Sequence, residues 1–176
     1  MSNFYPLKIK EIIRETSQAV SLSFDIPENL KEEFQFKAGQ YITIKYDAEN
    51  GEVRRAYSLC SAPASEDFKV TVKEVEGGSF SVIANNKLSA GDILEVHPPE
   101  GKFVFEPGKS AKDYAAFAAG SGITPVLSII KSVLEQEPES RFVLTYGNKS
   151  VDDTIFFEEL LELQSKFPER LFVEFI

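Results

Sequence analysis

Along the first hundred residues the apolar positions fall in short alternating runs. Val20, Leu22 and Phe24 share one face of the segment from Ala19 to Asp25, Ile42 and Ile44 one face of Tyr41 to Tyr46, and Phe68, Val70 and Val72 one face of Phe68 to Val75. This period of two predicts half-buried strands. Turn residues separate the runs at Pro27, Ala38-Gly39, Asn50-Gly51, Ala62-Pro63, Gly77-Gly78, Ala90-Gly91-Asp92 and Pro98-Pro99, at about the spacing of an antiparallel barrel. A short helix, about Phe80 to Asn86, interrupts them. After Glu106-Pro107-Gly108 the period changes. Tyr114 to Ala119 is a continuous apolar run, which predicts a parallel strand covered on both faces. Gly120-Ser121-Gly122 follows, then Pro125 at an expected first helical position, then Val126, Ile129, Ile130, Val133 and Leu134 at helical spacing. Arg141 to Tyr146 reads as a second strand, Thr154 to Phe167 as a second helix and Leu171 to Ile176 as a third strand. The order βαβαβ is one mononucleotide-binding half of a doubly wound sheet. Its last strand, closing on Phe175-Ile176, leads us to expect a fragment of a longer protein.

Composition narrows the chemistry. With 176 residues, 43% of them apolar, the chain can build one full core and part of a second. A net charge of −9 repels phosphate backbones and anionic lipid, which argues against nucleic acid or a membrane as partner. Cys60 is the only thiol and His97 the only imidazole. An internal disulfide, an iron–sulfur cluster or a thiolate zinc site held by this chain alone is therefore excluded, and redox chemistry would need a borrowed organic cofactor. No window approaches 18 consecutive apolar residues, and the expected setting is soluble and cytoplasmic.

Three motifs carry candidate chemistry. The first is Arg54-Arg55-Ala56-Tyr57-Ser58-Leu59-Cys60-Ser61-Ala62-Pro63. A strand with adjacent arginines is a local positive site in an acidic protein, and the planar guanidinium fork suits phosphate. Tyr57 lies two residues beyond Arg55, on the same strand face, and Ser58 adds a hydroxyl. An anion clamp beside a stacking ring fits a nucleotide-like cofactor; a solvated edge arginine with a core tyrosine fits R-x-Y-S as well. The second is Gly77-Gly78-Ser79-Phe80-Ser81, opening the short helix. It is equally an anion site at exposed N–H groups or a hairpin turn with an N-cap. The third is Gly120-Ser121-Gly122-Ile123-Thr124-Pro125, between strand and helix, a G-x-G-x-x-P form of the dinucleotide fingerprint or a tight βα turn. The acidic residue sought after the second strand is missing, because Gly147, Asn148 and Lys149 follow Tyr146.

In this order and spacing the three motifs resemble the ferredoxin–NADP reductase superfamily over nearly the whole chain. Arg55-Ala56-Tyr57-Ser58-Leu59-Cys60-Ser61, His97-Pro98-Pro99-Glu100-Gly101-Lys102-Phe103 and Tyr146-Gly147-Asn148-Lys149 are most similar to reductase components of multicomponent oxygenases, that of phenylacetate degradation among them. The resemblance implies a β barrel plus α/β fold: an antiparallel six-stranded FAD-binding barrel over residues 1–107, then the first βαβαβ half of a pyridine-nucleotide-binding domain over 112–176. It implies a flavin-dependent NAD(P)H reductase, with FAD as cofactor and NAD(P)H as substrate. Electrons would pass to an iron–sulfur acceptor, an oxygenase or ferredoxin. Arg55 would bind the FAD pyrophosphate, Tyr57 would stack on the isoalloxazine and Ser58 would lie near flavin N5. Gly78, Ser79, Phe80 and Ser81 would hold phosphates from the other side, and Gly120, Gly122 and Thr124 would face the nicotinamide nucleotide. Ser58 and Thr124 are thus the candidate catalytic residues.

The family pattern also includes parts that this sequence does not contain. These are the rest of the nucleotide domain, with its ribose 2′-phosphate selector after the third strand, and a ferredoxin domain with a two-iron cluster. The alternative from another class is a non-catalytic β-barrel binding module whose basic patch takes an acidic partner. Cys60 reads as a small core residue, His97 as structural, and Glu158, Glu159 and Glu162 as a solvated helix face.

Overall fold

A computed structural model describes residues 3–48 and 51–176. Strands β1 (Tyr5–Thr16), β2 (Ala19–Asp25), β3 (Tyr41–Ala48), β4 (Gly51–Ser58), β5 (Lys69–Lys73) and β6 (Ile93–Glu100) form one antiparallel sheet, with helix α1 (Phe80–Asn86) between β5 and β6. The strand order is β4-β3-β6-β1-β2-β5. An antiparallel bridge between Leu59 and Val70 brings the outermost strands together, so the sheet curls around one core. Leu7, Ile9, Val20, Leu22, Ile42, Ile44, Val70, Val72 and Val96 fill it, and Phe80 of α1 plugs its end. The alternation seen in the sequence therefore gives the barrel directly, and α1 has the expected limits. Asn50, of the expected Asn50-Gly51 turn, lies outside the described residues.

The second unit is β7 (Asp113–Ala119), α2 (Ile123–Gln136), β8 (Arg141–Gly147), α3 (Phe157–Lys166) and β9 (Leu171–Phe175). Its sheet is parallel in the order β7-β8-β9. Val126, Leu127, Ile130 and Val133 of α2 pack on Leu144 and Tyr146, joined by Ala19 and Cys60 of the barrel. The two units thus share this second core. Among the described residues no helix is long and apolar enough to cross a membrane.

Two strands reverse their expected burial. β2 is buried on both faces, because Ala19, Ser21 and Ser23 lie under cover opposite Val20, Leu22 and Phe24. The hydroxyls there are satisfied: Ser21 bonds Glu15 and Thr71, and Ser23 bonds Asp67. β7, expected to be covered on both faces, has only one covered face. Phe117 is 83% exposed, with Val143 at 45% and Phe172 at 46% on the neighbouring strands. Both helices lie on the opposite side, where Tyr114, Ala116 and Ala118 join the core.

Helix boundaries shift as well. A 3₁₀ turn at Gly120–Gly122 leads into α2, so Pro125 is the third helical residue rather than the first. α3 begins at Phe157, three residues late, because a 3₁₀ turn occupies Val151–Asp153 and buried Phe156 takes a left-handed φ of 63°. A non-glycine residue tolerates that conformation only when its surroundings fix it; here the ring belongs to the second core.

The C-terminus of α2 is tied to the interdomain linker. Glu137, 4% exposed, accepts hydrogen bonds from the Gly108 N–H at 2.5 Å, the Ser140 hydroxyl at 2.7 Å and the Tyr114 hydroxyl at 2.9 Å. Burial opposes ionisation of Glu137, but these donors outweigh it and hold the carboxyl below its ordinary pKa. Arg170 donates to the carbonyls of Val133, Leu134, Glu137 and Ser140, which leaves the helix end satisfied and its negative pole neutralised.

Candidate functional site

Where the barrel meets the nucleotide-fold unit lies an open cleft of about 620 Å³, lined from both sides, within the size range of small-molecule sites. The barrel contributes Arg55, Tyr57 and Ser58 from β4, Thr71 and Lys73 from β5, and Gly78, Ser79, Phe80 and Ser81 from the start of α1; the second unit contributes Ser121 and Thr124.

The β4 residues are set by register. Arg55 is opposite Ile44, Tyr57 opposite Ile42 and Ser58 opposite Tyr41. Arg55 is exposed, and Nη1 donates to the Arg54 carbonyl at 2.8 Å. A guanidinium has five N–H donors, so most of its fork is free. Arg54 is differently engaged: Nε pairs with Glu52 at 2.7 Å and the guanidinium lies 5.0 Å from the centre of the Phe4 ring. The half-buried Tyr57 ring sits 5.7 Å from that of Phe80. Burial pushes its hydroxyl up to about 12, against the opposing pull of the Arg55 charge, so it is a neutral aromatic surface at physiological pH.

The Gly77-Gly78 turn is built to be tight. Its Gly78 N–H donates to the Val75 carbonyl at 2.8 Å, and Ser81 Oγ accepts from the Val75 N–H at 3.2 Å. A Cβ at position 78 would collide with Ser81 Oγ and meet the Val75 carbonyl oxygen at 2.8 Å, so only glycine fits. Asn85 secures α1 by donating to the carbonyls of Val72 and Ser81, and Arg14 in turn donates to Asn85. Phe80 is a core side chain and Ser81 Oγ is already partnered. Of the two serines singled out from sequence at this turn, Ser79 is the one whose hydroxyl has no hydrogen bond among the described residues.

Across the cleft, Thr124 Oγ1 donates to the Ser121 carbonyl at 3.0 Å. Gly120 has φ of +50°, and its carbonyl accepts from the buried Tyr146 hydroxyl at 2.9 Å. Burial raises the Tyr146 pKa far beyond the physiological range, which keeps that donor protonated. Gly120 and Gly122 shape the turn, while Ser121 and Thr124 line the cleft.

Lys73 went unrecognised in the sequence. It ends β5 on the same face as Thr71 and lies beside Gly120, where an added Cβ would be 3.8 Å from its Nζ. The signal was a cation closing β5, separated from the Gly77-Gly78 pair by Glu74-Val75-Glu76. Lys73 and Arg55 place two cations in the cleft of a chain whose net charge is −9, against one lining carboxylate, Glu74, which accepts a hydrogen bond from Asn86. A smaller hollow of about 250 Å³ lies over the carboxyl ends of β8 and β9, among Tyr146, Asn148, Lys149, Phe157 and Phe175. Asn148 Nδ2 is buried there beside the Tyr146 hydroxyl, without a hydrogen bond of good geometry among the described residues.

Cys60 and His97 take no part. The thiol is buried, donates to the Lys69 carbonyl and is pushed up by burial to about 11, so it is unreactive. His97 bonds the Pro98 carbonyl and packs edge-on against Phe4. No cluster of potential metal ligands occurs among the described residues. Of the three helix carboxylates, Glu158 and Glu162 are exposed, but Glu159 pairs with Lys131 at 2.5 Å.

Comparison with known proteins gives matches over both units. Residues 6–105 match the family described as oxidoreductase FAD-binding domain, and residues 117–175 the oxidoreductase NAD-binding domain. The chain is 40% identical over 172 residues to one of the subunits of 1,2-phenylacetyl-CoA epoxidase from Escherichia coli K12, covering 97% of this chain and 48% of that protein. It is 40% identical over 169 residues to the ferredoxin reductase component of 3-ketosteroid-9-alpha-monooxygenase from Rhodococcus rhodochrous, covering 95% of this chain and 47% of the relative. The chain thus spans about half the length of these curated relatives. Among solved structures, phthalate dioxygenase reductase superposes with a TM-score of 0.77 at 28% identity, over 98% of this chain and 51% of that one. The flavohem-like FAD/NAD-binding domain of nitric oxide dioxygenase from Vibrio cholerae gives 0.84 at 21% identity, over 99% of this chain and 74% of that one, a likeness of fold alone.

Proposed function

This chain belongs to the oxidoreductase FAD-binding domain family, a family of flavin-dependent NAD(P)H oxidoreductases, and on that premise we propose that its cleft holds FAD and presents it to a pyridine nucleotide. The observation that carries the reading is the convergence on one cleft of a free guanidinium fork, a neutral aromatic ring, the Gly77–Ser81 turn and the Gly120–Thr124 turn. The donor set fits the cofactor. Arg55 and Ser79 offer donors to a pyrophosphate, and Tyr57 offers a ring face to a flat heterocycle. When bound, FAD supplies hydride acceptance from the nicotinamide and release of electrons one at a time.

The residues of this chain bind and orient. Tyr57 sets the plane of the ring system, and Ser58 offers a hydroxyl at its reactive edge. Lys73 faces the Gly120 turn and balances anionic charge arriving from the nucleotide side. The turn with Thr124 sits at the carboxyl end of β7, where open α/β sheets bind ligands. The adenosine half of the nucleotide would extend over β8 and β9, where the Asn148 amide lines the hollow and Lys149 adds a cation.

The names of an epoxidase subunit, a monooxygenase ferredoxin reductase component and a dioxygenase reductase that transfers electrons to a 2Fe-2S centre support an iron–sulfur acceptor in an oxygenase system, with phenylacetate breakdown as the pathway that the first of them supports. Division into a flavin unit over 1–107 and a nucleotide unit over 112–176 belongs to the same proposal. The test is to purify the chain, record its visible spectrum before and after adding FAD, and then add NADH or NADPH without oxygen. We expect flavin absorbance that the reduced nucleotide bleaches. A protein that neither carries nor takes up FAD would overturn the reading and favour a non-catalytic module.

A further inference from the structure

Helix α2 carries a polar stripe on the face it turns to the barrel. Ser128 is fully buried and Ser132 is 1% exposed, while the Lys131 side chain retains 13% of its exposure. Buried hydroxyl and ammonium groups persist where they have defined partners. Ser128 Oγ donates to the Ser61 carbonyl at 2.7 Å. Lys131 Nζ donates to the Cys60 carbonyl at 3.3 Å and pairs with Glu159 of α3 at 2.5 Å. The pair of residues they grip is held from the other side too. The Cys60 N–H donates to the Lys69 carbonyl at 2.9 Å, and Ser61 Oγ accepts from the Lys69 N–H at 3.2 Å.

These contacts join the two halves of the cleft by the shortest covalent routes. Cys60-Ser61 begins two residues after Ser58, in direct continuation of β4. Ser128 lies four residues, or about 6 Å of helix, beyond Thr124 at the cleft. A purely apolar seam would hold the halves together without fixing their rotation, since hydrophobic contact is non-directional. Two directional hydrogen bonds to consecutive carbonyls fix both sliding and rotation.

We propose that Ser128 and Lys131 are positioning residues: through the carbonyls of Ser61 and Cys60 they set the spacing and rotation of the Gly120–Thr124 turn against Tyr57 and Ser58. Neither touches the cleft. The inference rests on the reading of the cleft as the place where nicotinamide meets flavin, and it adds which residues outside the cleft hold the two binding elements in hydride-transfer alignment.

The test uses the full chain with nitroxide labels on Lys10→Cys in β1 and Ser165→Cys in α3, both exposed positions. Cys60 is buried and stays unlabelled. Pulsed electron spin measurements then give the distance distribution between the halves, in the parent and with Ser128→Ala, Lys131→Met or Lys131→Arg added. In parallel, the unlabelled variants are loaded with FAD, and the rate of flavin reduction at saturating NADH is compared with the affinities for FAD and nucleotide. We expect Ser128→Ala and Lys131→Met to broaden or shift the distribution, and to slow reduction by up to about 10²-fold, the cost of roughly an ångström of misplacement. Their FAD affinity should stay near that of the parent, and Lys131→Arg should recover most of both losses. An unchanged distribution in both variants overturns the proposal whatever the flavin does. A broadened distribution with an undiminished reduction rate overturns it too, leaving the contacts as interface glue. Failure of the parent to bind FAD defeats the proposed function instead, and the distance measurement still decides whether these residues set the alignment.

Discussion

Replacing Arg55 by alanine probes the cleft where its chemistry is most exposed. The side chain stands in solvent, and its one bond among the described residues is from Nη1 to the Arg54 carbonyl. An exposed contact of that kind contributes little, so the stability of the flavin-free chain should move by no more than about 0.5 kcal/mol. Binding is another matter. A hydrogen bond to a charged phosphate oxygen contributes about 1.5–3 kcal/mol, which corresponds to a ten- to hundredfold loss of FAD affinity in Arg55→Ala, at about 1.4 kcal/mol per tenfold. Arg55→Lys should recover only part of this, because an ammonium is a point charge without the planar fork. Arg54→Ala is the internal control: it removes the same charge from the adjacent residue, but one committed to Glu52 and Phe4. Calorimetric titration of FAD into the parent and the three variants, with thermal melts alongside, separates binding from folding. An Arg54 effect equal to or larger than that of Arg55 would refute the reasoning and, with it, the placing of Tyr57 against the flavin ring.

Three further outcomes follow from the packing. Gly78→Ala should destabilise the fold by about 1–3 kcal/mol, as overpacking does, and weaken FAD binding, since its Cβ would collide with Ser81 Oγ and the Val75 carbonyl; an undiminished urea midpoint would show that the turn can relax. Glu137→Gln should cost about 1–3 kcal/mol at neutral pH. Because the folded carboxyl has a lowered pKa, the wild-type advantage is full above the unfolded carboxylate range and fades as pH falls through the folded value; a difference that stays constant in urea melts from pH 7 to pH 3 would contradict this. Phe117→Ser, at a position 83% exposed, should raise solubility in light-scattering measurements while moving stability by no more than about 0.5 kcal/mol; a large loss of stability would mean that this sheet face is packed.

The barrel was legible because its strands alternate and its turns carry Gly and Pro, so Val20, Leu22, Ile42, Ile44, Val70 and Val72 declare the core face unaided. Misread burial had a tertiary cause. The odd positions of β2 are Ala19, which packs against the second unit, and Ser21 and Ser23, whose hydroxyls are covered by partners within the barrel; a polar hydroxyl looks the same in sequence whether it meets water or Thr71. In β7 the run of alanines around Phe117 is apolar throughout, and composition alone does not say which face the helices cover. The late start of α3 comes from the left-handed Phe156, for which propensity offers no signal. In the cleft, strand periodicity puts Arg55 and Tyr57 on one face, whereas Ser58 is placed by family resemblance and lines the cleft as the last residue of β4. Lys73 could not be placed from sequence, since its proximity to Gly120 arises only when the two units dock. The same holds for Ser128 and Lys131, whose carbonyl partners lie 67 and 71 residues away.

The central claim is that this cleft recognises FAD through both its ring system and its pyrophosphate. A side-by-side titration of the purified chain with riboflavin, FMN and FAD, followed by quenching of flavin fluorescence, tests it most directly. Tyr57 should give all three ligands a weak common affinity. FAD should then bind at least tenfold more tightly than FMN, because only a pyrophosphate reaches both Arg55 and the Gly77–Ser81 turn. Equal affinities for FMN and FAD, or no quenching by any of the three, would contradict the account.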